Sequence, residues 1–195
     1  MGRKFARKCD KDYCFNYSGK TLFHWACIYG NESIVEAFIQ NSAKLNIRLD
    51  AKDRYGRTGF HQACIHGQSK ITEKIIQLSA LNNINLNAKD YLDGTAFYLA
   101  CEFGQLEIVK ILLQKSTEHN IDLNAKSMFD WTAFLIACRN GNKNIVEMMI
   151  DNAENLKIDL TAKNCLNETG FQIAVRFGKN EVVDLFRRKK PSIAY

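Results

Sequence analysis

The stretch Thr58-Gly-Phe-His-Gln-Ala-Cys-Ile-His-Gly67 decides the fold, because it returns with small changes along the whole chain. Its Thr recurs at 37-residue spacing as Thr21, Thr58, Thr95, Thr132 and Thr169. Two residues on stands Phe23, Phe60, Phe97, Phe134 or Phe171, and five on stands Ala26, Ala63, Ala100, Ala137 or Ala174. Gly30, Gly67, Gly104, Gly141 and Gly178 close the motif, and Ile34, Ile71, Ile108, Ile145 and Val182 follow in step. Self-similarity at such a period marks a stack of structural repeats.

Each unit reads as two helices and a turn. Thr opens the first helix as N-cap, its hydroxyl accepting from a free backbone N–H. Phe and Ala share one face of that helix, and the small Ala-Cys pair lets a neighbouring backbone approach. Gly ends the helix, where a left-handed residue is needed. A second, amphipathic helix follows, as in Ser33-Ile-Val-Glu-Ala-Phe-Ile39, with apolar residues at 34, 35, 38 and 39. Two residues before each Thr comes Gly19, Gly56, Asp93, Asp130 or Asn167, types that tolerate positive φ, so a tight turn sits at each tip. A lone unit cannot bury its apolar faces, so neighbours stack. The fold class expected is all-α, a solenoid of helix–turn–helix repeats with β-hairpin-like tips.

These residues resemble the ankyrin repeat, whose turn is followed by T-P-L-H-x-A, Gly and a second helix. Thr21-Leu-Phe-His-Trp-Ala and Thr58-Gly-Phe-His-Gln-Ala match best, while the later copies put Tyr98, Leu135 and Gln172 in place of His24 and His61. Two departures stand out. The Pro after Thr is absent from all five copies, which removes a pre-set φ and predicts a loss of stability. Each full unit also carries four extra residues before Leu49-Asp-Ala-Lys, Leu86-Asn-Ala-Lys, Leu123-Asn-Ala-Lys and Leu160-Thr-Ala-Lys. Either the second helix runs a turn longer or its loop bulges. The resemblance implies protein binding at the tips and on the exposed face of the first helices. It also implies that His24 and His61 hydrogen-bond the neighbouring hairpin, and that Asn87 or Asn124 is open to side-chain hydroxylation.

Composition narrows the function. The chain of 195 residues carries a net charge of +6, is 46% hydrophobic and 25% charged. No apolar run reaches the roughly 20 residues of a membrane-spanning helix. The charge sits at the ends: Arg3, Lys4, Arg7, Lys8 and Lys11 precede the repeats, and Arg187, Arg188, Lys189 and Lys190 follow them. The body between is nearly neutral, so no broad nucleic-acid face is expected. Cys27, Cys64, Cys101 and Cys138 recur at one register position, which suits buried free thiols in a reducing compartment. The expected location is the cytosol, with the nucleus as a second compartment should the C-terminal basic run act as a localisation signal. His24 with Cys27 and His61 with Cys64 have metal-like spacing, yet the register already explains both types, so no metal is assigned. No nucleophile–base set or phosphate loop is found. The chain is read as a non-enzyme without cofactor, and as a monomer.

The organisation expected is a basic segment over 1–15, repeats over 16–52, 53–89, 90–126, 127–163 and 164–190, and a tail over 191–195. Stacking fixes the repeated positions, so partner contacts belong to those that vary. At the tips these include Tyr17, Arg54, Tyr55, Arg57, Tyr91, Leu92, Met128, Phe129 and Trp131. Late in the first helices they include Tyr29, Ile65, His66, Glu102, Phe103, Arg139, Arg176 and Phe177. Aromatic residues, Met and Arg are the types enriched at interface hot spots. The partner-binding residues selected are Tyr29, Arg54, Tyr55, Arg57, His66, Tyr91, Phe103, Met128, Phe129, Trp131, Arg139 and Arg176. They call for a protein partner with apolar and acidic character. The alternative is binding of nucleic acid or an acidic membrane surface through the basic ends.

Overall fold

The computed structural model describes residues 18–190 and Ser192. The basic segment 1–15, Tyr17 and all of the tail but Ser192 lie outside the described residues. Five first helices form an inner layer: α1 (Leu22–Tyr29), α4 (Gly59–Ile65), α6 (Ala96–Glu102), α8 (Ala133–Asn140) and α10 (Gly170–Arg176). The outer layer holds α2 (Glu32–Gln40) with the short α3 (Ser42–Leu45), then α5 (Ser69–Leu78), α7 (Leu106–Lys115), α9 (Lys143–Leu156) and α11 (Asn180–Lys189). Each inner helix packs on the next inner helix and on its own outer helix, so the chain advances one helix pair per repeat.

The caps follow the residue types. Thr21, Thr95, Thr132 and Thr169 are N-caps whose hydroxyls accept from the backbone N–H three residues on. The five closing glycines, from Gly30 (φ 71°) to Gly178 (φ 64°), are all left-handed. The core is the repeated Phe-Ala-Cys face: Phe60, Phe97 and Phe134 are buried with Ala63, Ala100, Ala137 and Cys64, Cys101 and Cys138. Burial pushes the thiols up, that of Cys64 to about 12, so they stay protonated and inert. Polar side chains also tie the repeats. Gln68 and Gln105 donate to the carbonyls of Ile28 and Ile65 on the preceding inner helices, both at 2.8 Å. Lys52 and Lys89 donate to the carbonyls of Lys89 and Lys126, 37 residues on.

The packing changes the reading of the missing Pro. A Cβ on Gly59 would stand 2.5 Å from the Phe23 ring and 3.1 Å from the Cys27 sulfur. The preceding repeat's Phe already fills the site, so a small residue here follows from packing. The four-residue insertion takes both of the expected forms. In repeat 4 it lengthens α9 without a break, and in repeat 1 it makes the separate α3. In repeats 2 and 3 it forms only hydrogen-bonded turns. Each ends alike, with left-handed Asn46, Asn83, Asn120 or Lys157 and a backbone bond from Ile47, Ile84, Ile121 or Ile158 to the carbonyl five residues back.

Two sequence expectations need correction. Ile34, placed on the apolar stripe of α2, is 46% exposed, whereas its equivalents Ile71 and Ile108 are buried. Those equivalents lie under a preceding repeat, and none precedes α2 among the described residues. Ile65, placed among the variable contact positions, is buried in the stack.

Candidate functional site

The tips are tight turns, with no strand among the described residues. Gly19, Gly56, Asp93, Asp130 and Asn167 all have positive φ, as their types require. The tips of repeats 2, 3 and 5 close on themselves through two backbone bonds each, in repeat 2 Asp53 N–H to the Arg57 carbonyl and Gly56 N–H to the Asp53 carbonyl, both at 2.9 Å. The tip of repeat 4 closes through Ser127 N–H to the Trp131 carbonyl at 2.8 Å. One more bond joins each of these tips to the previous one: Arg54 to Ser18, Tyr91 to Tyr55, Met128 to Leu92 and Cys165 to Phe129. The side chains at successive tips therefore stand in a row.

In repeat 2 the tip is organised by a buried carboxylate. Asp53 accepts from the N–H groups of Tyr55 (2.8 Å) and Arg57 (3.0 Å), and pairs with Lys20 at 3.1 Å. Burial alone would raise its pKa, but these donors outweigh it and hold the carboxyl below its ordinary value. Asp90 accepts from Leu92 and Gly94 in the same way, and Asn164 from Leu166 and Glu168. Repeat 4 has Ser127 at this position, too short to reach both N–H groups. There the tip winds into a 3-10 turn over Met128–Asp130, with Phe129 left-handed at φ 63°. A bulky residue seldom sits there, at a cost of roughly 1–2 kcal/mol. The residue is 64% exposed.

Histidines serve the first two tips. The backbone N–H of Thr21 donates to His24 Nδ1 at 3.1 Å, so the neutral ring carries its proton on Nε2. That nitrogen donates to the Arg57 carbonyl at 2.9 Å. His61 Nδ1 accepts from Thr58 likewise, but its buried Nε2 has no partner among the described residues. Burial lowers both rings, His61 to about 4.

From repeat 2 to repeat 5 the tips and inner helices enclose a groove of about 430 Å³. It brings together seven of the twelve expected contact residues: Arg57, Phe103, Met128, Phe129, Trp131, Arg139 and Arg176. The other five lie outside it. Tyr29 ends α1 and stacks on Trp25, with ring centroids 5.7 Å apart. Arg54 and Tyr55 cover each other at the second tip, the guanidinium 4.7 Å from the ring centre. His66 caps α4, exposed, and Tyr91 meets Lys52 at 6.0 Å. The groove also contains Leu92, Tyr98, Glu102 and Phe177, which were not selected from sequence. Tyr98 is the informative omission. It occupies the register position of His24 and His61, and its half-buried phenol hydrogen-bonds Ser127 of the next tip.

Electrostatics divides the three groove arginines. Arg57 pairs with Asp90 at 3.4 Å and Arg176 with Glu168 at 3.0 Å. Arg139 instead stands over two rings, Trp131 at 5.8 Å and Phe177 at 5.3 Å. Glu102 is held above the ordinary carboxylate range, chiefly by burial, against the pull of Arg57 and Arg139.

A family model for ankyrin repeats matches residues 3–90, 23–127 and 97–193, which together take in nearly the whole chain. The chain belongs to the ankyrin-repeat family. A search of curated proteins found no match. Ankyrin repeats generally mediate protein–protein interaction, and no described helix of this ankyrin-repeat protein is long and apolar enough to cross a membrane. Its C-terminal basic run is partly engaged: Lys189 pairs with Glu147 and Asp151, and Lys190 with Glu154. The basic N-terminal segment lies outside the described residues. Asn87 and Asn124, the positions offered for hydroxylation, bridge neighbouring loops. Each donates to one carbonyl and accepts from one N–H, all within 2.9 Å.

Proposed function

We propose that this ankyrin-repeat protein is a non-catalytic adaptor, scaffold or inhibitor whose protein partner seats in the groove over repeats 2 to 5. The observation that carries this reading is the row of Leu92, Phe103, Met128 and Phe129, exposed beside Trp131 and three arginines. A contiguous exposed apolar row marks an interaction surface. The chain works as a monomer by surface complementarity, in the reducing cytosol, with no chemical step. Tyr29, Arg54, Tyr55, His66 and Tyr91 then form a rim that tunes encounter more than affinity.

The test is quantitative affinity capture from lysate with the wild-type chain and a Met128→Ala/Trp131→Ala variant of unchanged helicity. Specific proteins should fall at least about tenfold with the variant, the scale of a lost hot spot. Equal capture by both would overturn the groove reading. Recovery of nucleic acid alone, removed by salt, would favour the basic ends.

A further inference from the structure

The groove holds a guanidinium that the described part of the protein orients but does not neutralise. Arg139, in the last turn of α8, is exposed and lies in a row of alternating rings and cations: Trp131, Arg139, Phe177, Arg176. The row ends at Glu168, which takes Arg176, while at the other end of the groove Asp90 takes Arg57. No carboxylate pairs with Arg139 among the described residues. Its guanidinium stands over the two rings, and none of its N–H donors has a partner among the described residues. Those ring contacts narrow the rotamers open to it, which lowers the entropy lost when a planar acceptor docks. Glu102 faces the same groove and is attracted by Arg139, but it comes into no close ion pair with it among the described residues.

We propose, building on the groove reading, that Arg139 is the receptor for one acidic side chain in an extended segment of the partner protein, flanked on both sides by apolar residues. Charge complementarity selects the carboxylate, because a guanidinium presents the paired donors that a carboxylate accepts. Position selects a side chain over a chain terminus. Arg139 stands mid-groove, with Phe103 and Leu92 toward repeat 3 and Phe177 toward repeat 5, so the bound chain runs past it in both directions. The apolar neighbours exclude water from the pair and strengthen it.

The experiment is display of a random linear peptide library on the full chain, as wild type, Arg139→Gln, Arg139→Glu and Trp131→Ala, each checked by its melting curve. Wild type is expected to enrich peptides with Asp or Glu at one fixed position between apolar residues. Arg139→Gln should weaken the best peptide at least about tenfold, the scale of a lost charge-assisted pair. Arg139→Glu should move the selection to Lys or Arg at that position. Arg188→Gln, at an exposed position of α11, should bind within twofold of wild type. Enriched peptides that lack a fixed acid, or that keep it with Arg139→Glu while Trp131→Ala abolishes binding, would overturn this inference and leave the groove standing. An absence of enrichment, or peptides that bind Trp131→Ala as well as wild type, would overturn both.

Discussion

The tips of repeats 1 and 2 and those of repeats 3 to 5 share one register but use their polar groups differently. At the first two, His24 and His61 reach inward, Asp53 is buried on backbone N–H groups, and Tyr55 is ringed by Lys20, Arg54 and Arg57. Apart from the buried His61 Nε2, charge and aromatic surface there are met by the protein itself. In repeats 3 to 5 the histidines give way to Tyr98, Leu135 and Gln172, the tip acid is lost at Ser127, and Arg139 faces the groove between two rings. One half of the stack is closed on itself and the other is left with unsatisfied surface. Aromatic and arginine content alone does not make a binding site; what matters is whether those groups already have partners.

That contrast can be broken most severely at the helix starts. Gly59→Ala should lose about 2–3 kcal/mol in urea unfolding, because its Cβ overlaps the Phe23 ring. Ala133→Gly, at the same register in the open half, should lose only about 1 kcal/mol. Equal losses would remove the packing distinction.

The next effect is acid sensitivity of the closed half. His61 is neutral when folded, with its pKa held at about 4 by burial, and returns to about 6.5 when unfolded. The unfolded chain therefore binds the proton first, so stability is full above pH 6.5 and falls as pH drops toward 4. Lowered His24 acts in the same window, and lowered Asp53 adds its loss only below its ordinary value of 3.8. Between pH 8 and pH 5 His61 should account for a loss of about 2 kcal/mol. His61→Gln should shrink that loss, and an unchanged pH profile would assign it elsewhere.

A smaller change converts one tip type into the other. Ser127→Asp restores the side-chain acceptor found at Asp53 and Asp90, which should draw Phe129 out of its left-handed conformation. A gain of about 1 kcal/mol in stability is expected, with weaker partner binding. Smallest of all should be Tyr55→Ala, which is expected to change partner affinity less than about threefold, as at an interface rim.

The scaffold of every repeat was legible in the sequence, because its features are local. The Thr caps, the closing glycines and the left-handed Gly56, Asp93 and Asn167 follow from residue type and position. The open half also depends on pairings between repeats, Arg57 with Asp90 and Arg139 with Phe177, and no spacing states which cation takes which partner. Arg57 at a tip and Arg139 late in a first helix were both selected as contact residues, yet one reaches Asp90 and the other stands over rings. Ser127 marks the departing tip, but its consequence appears two residues later at Phe129. Phe177 escaped selection because its role depends on Arg139 and Arg176 meeting over it.

The two tryptophans allow a direct test, since Trp25 lies in α1 of the closed half and Trp131 in the groove. A groove-selected peptide would be titrated into a Trp25→Phe variant and, separately, a Trp131→Phe variant, following intrinsic fluorescence. The expected result is a saturable change in emission from Trp131 and none from Trp25. A saturable change at Trp25 with Trp131 silent would contradict the groove as the binding site.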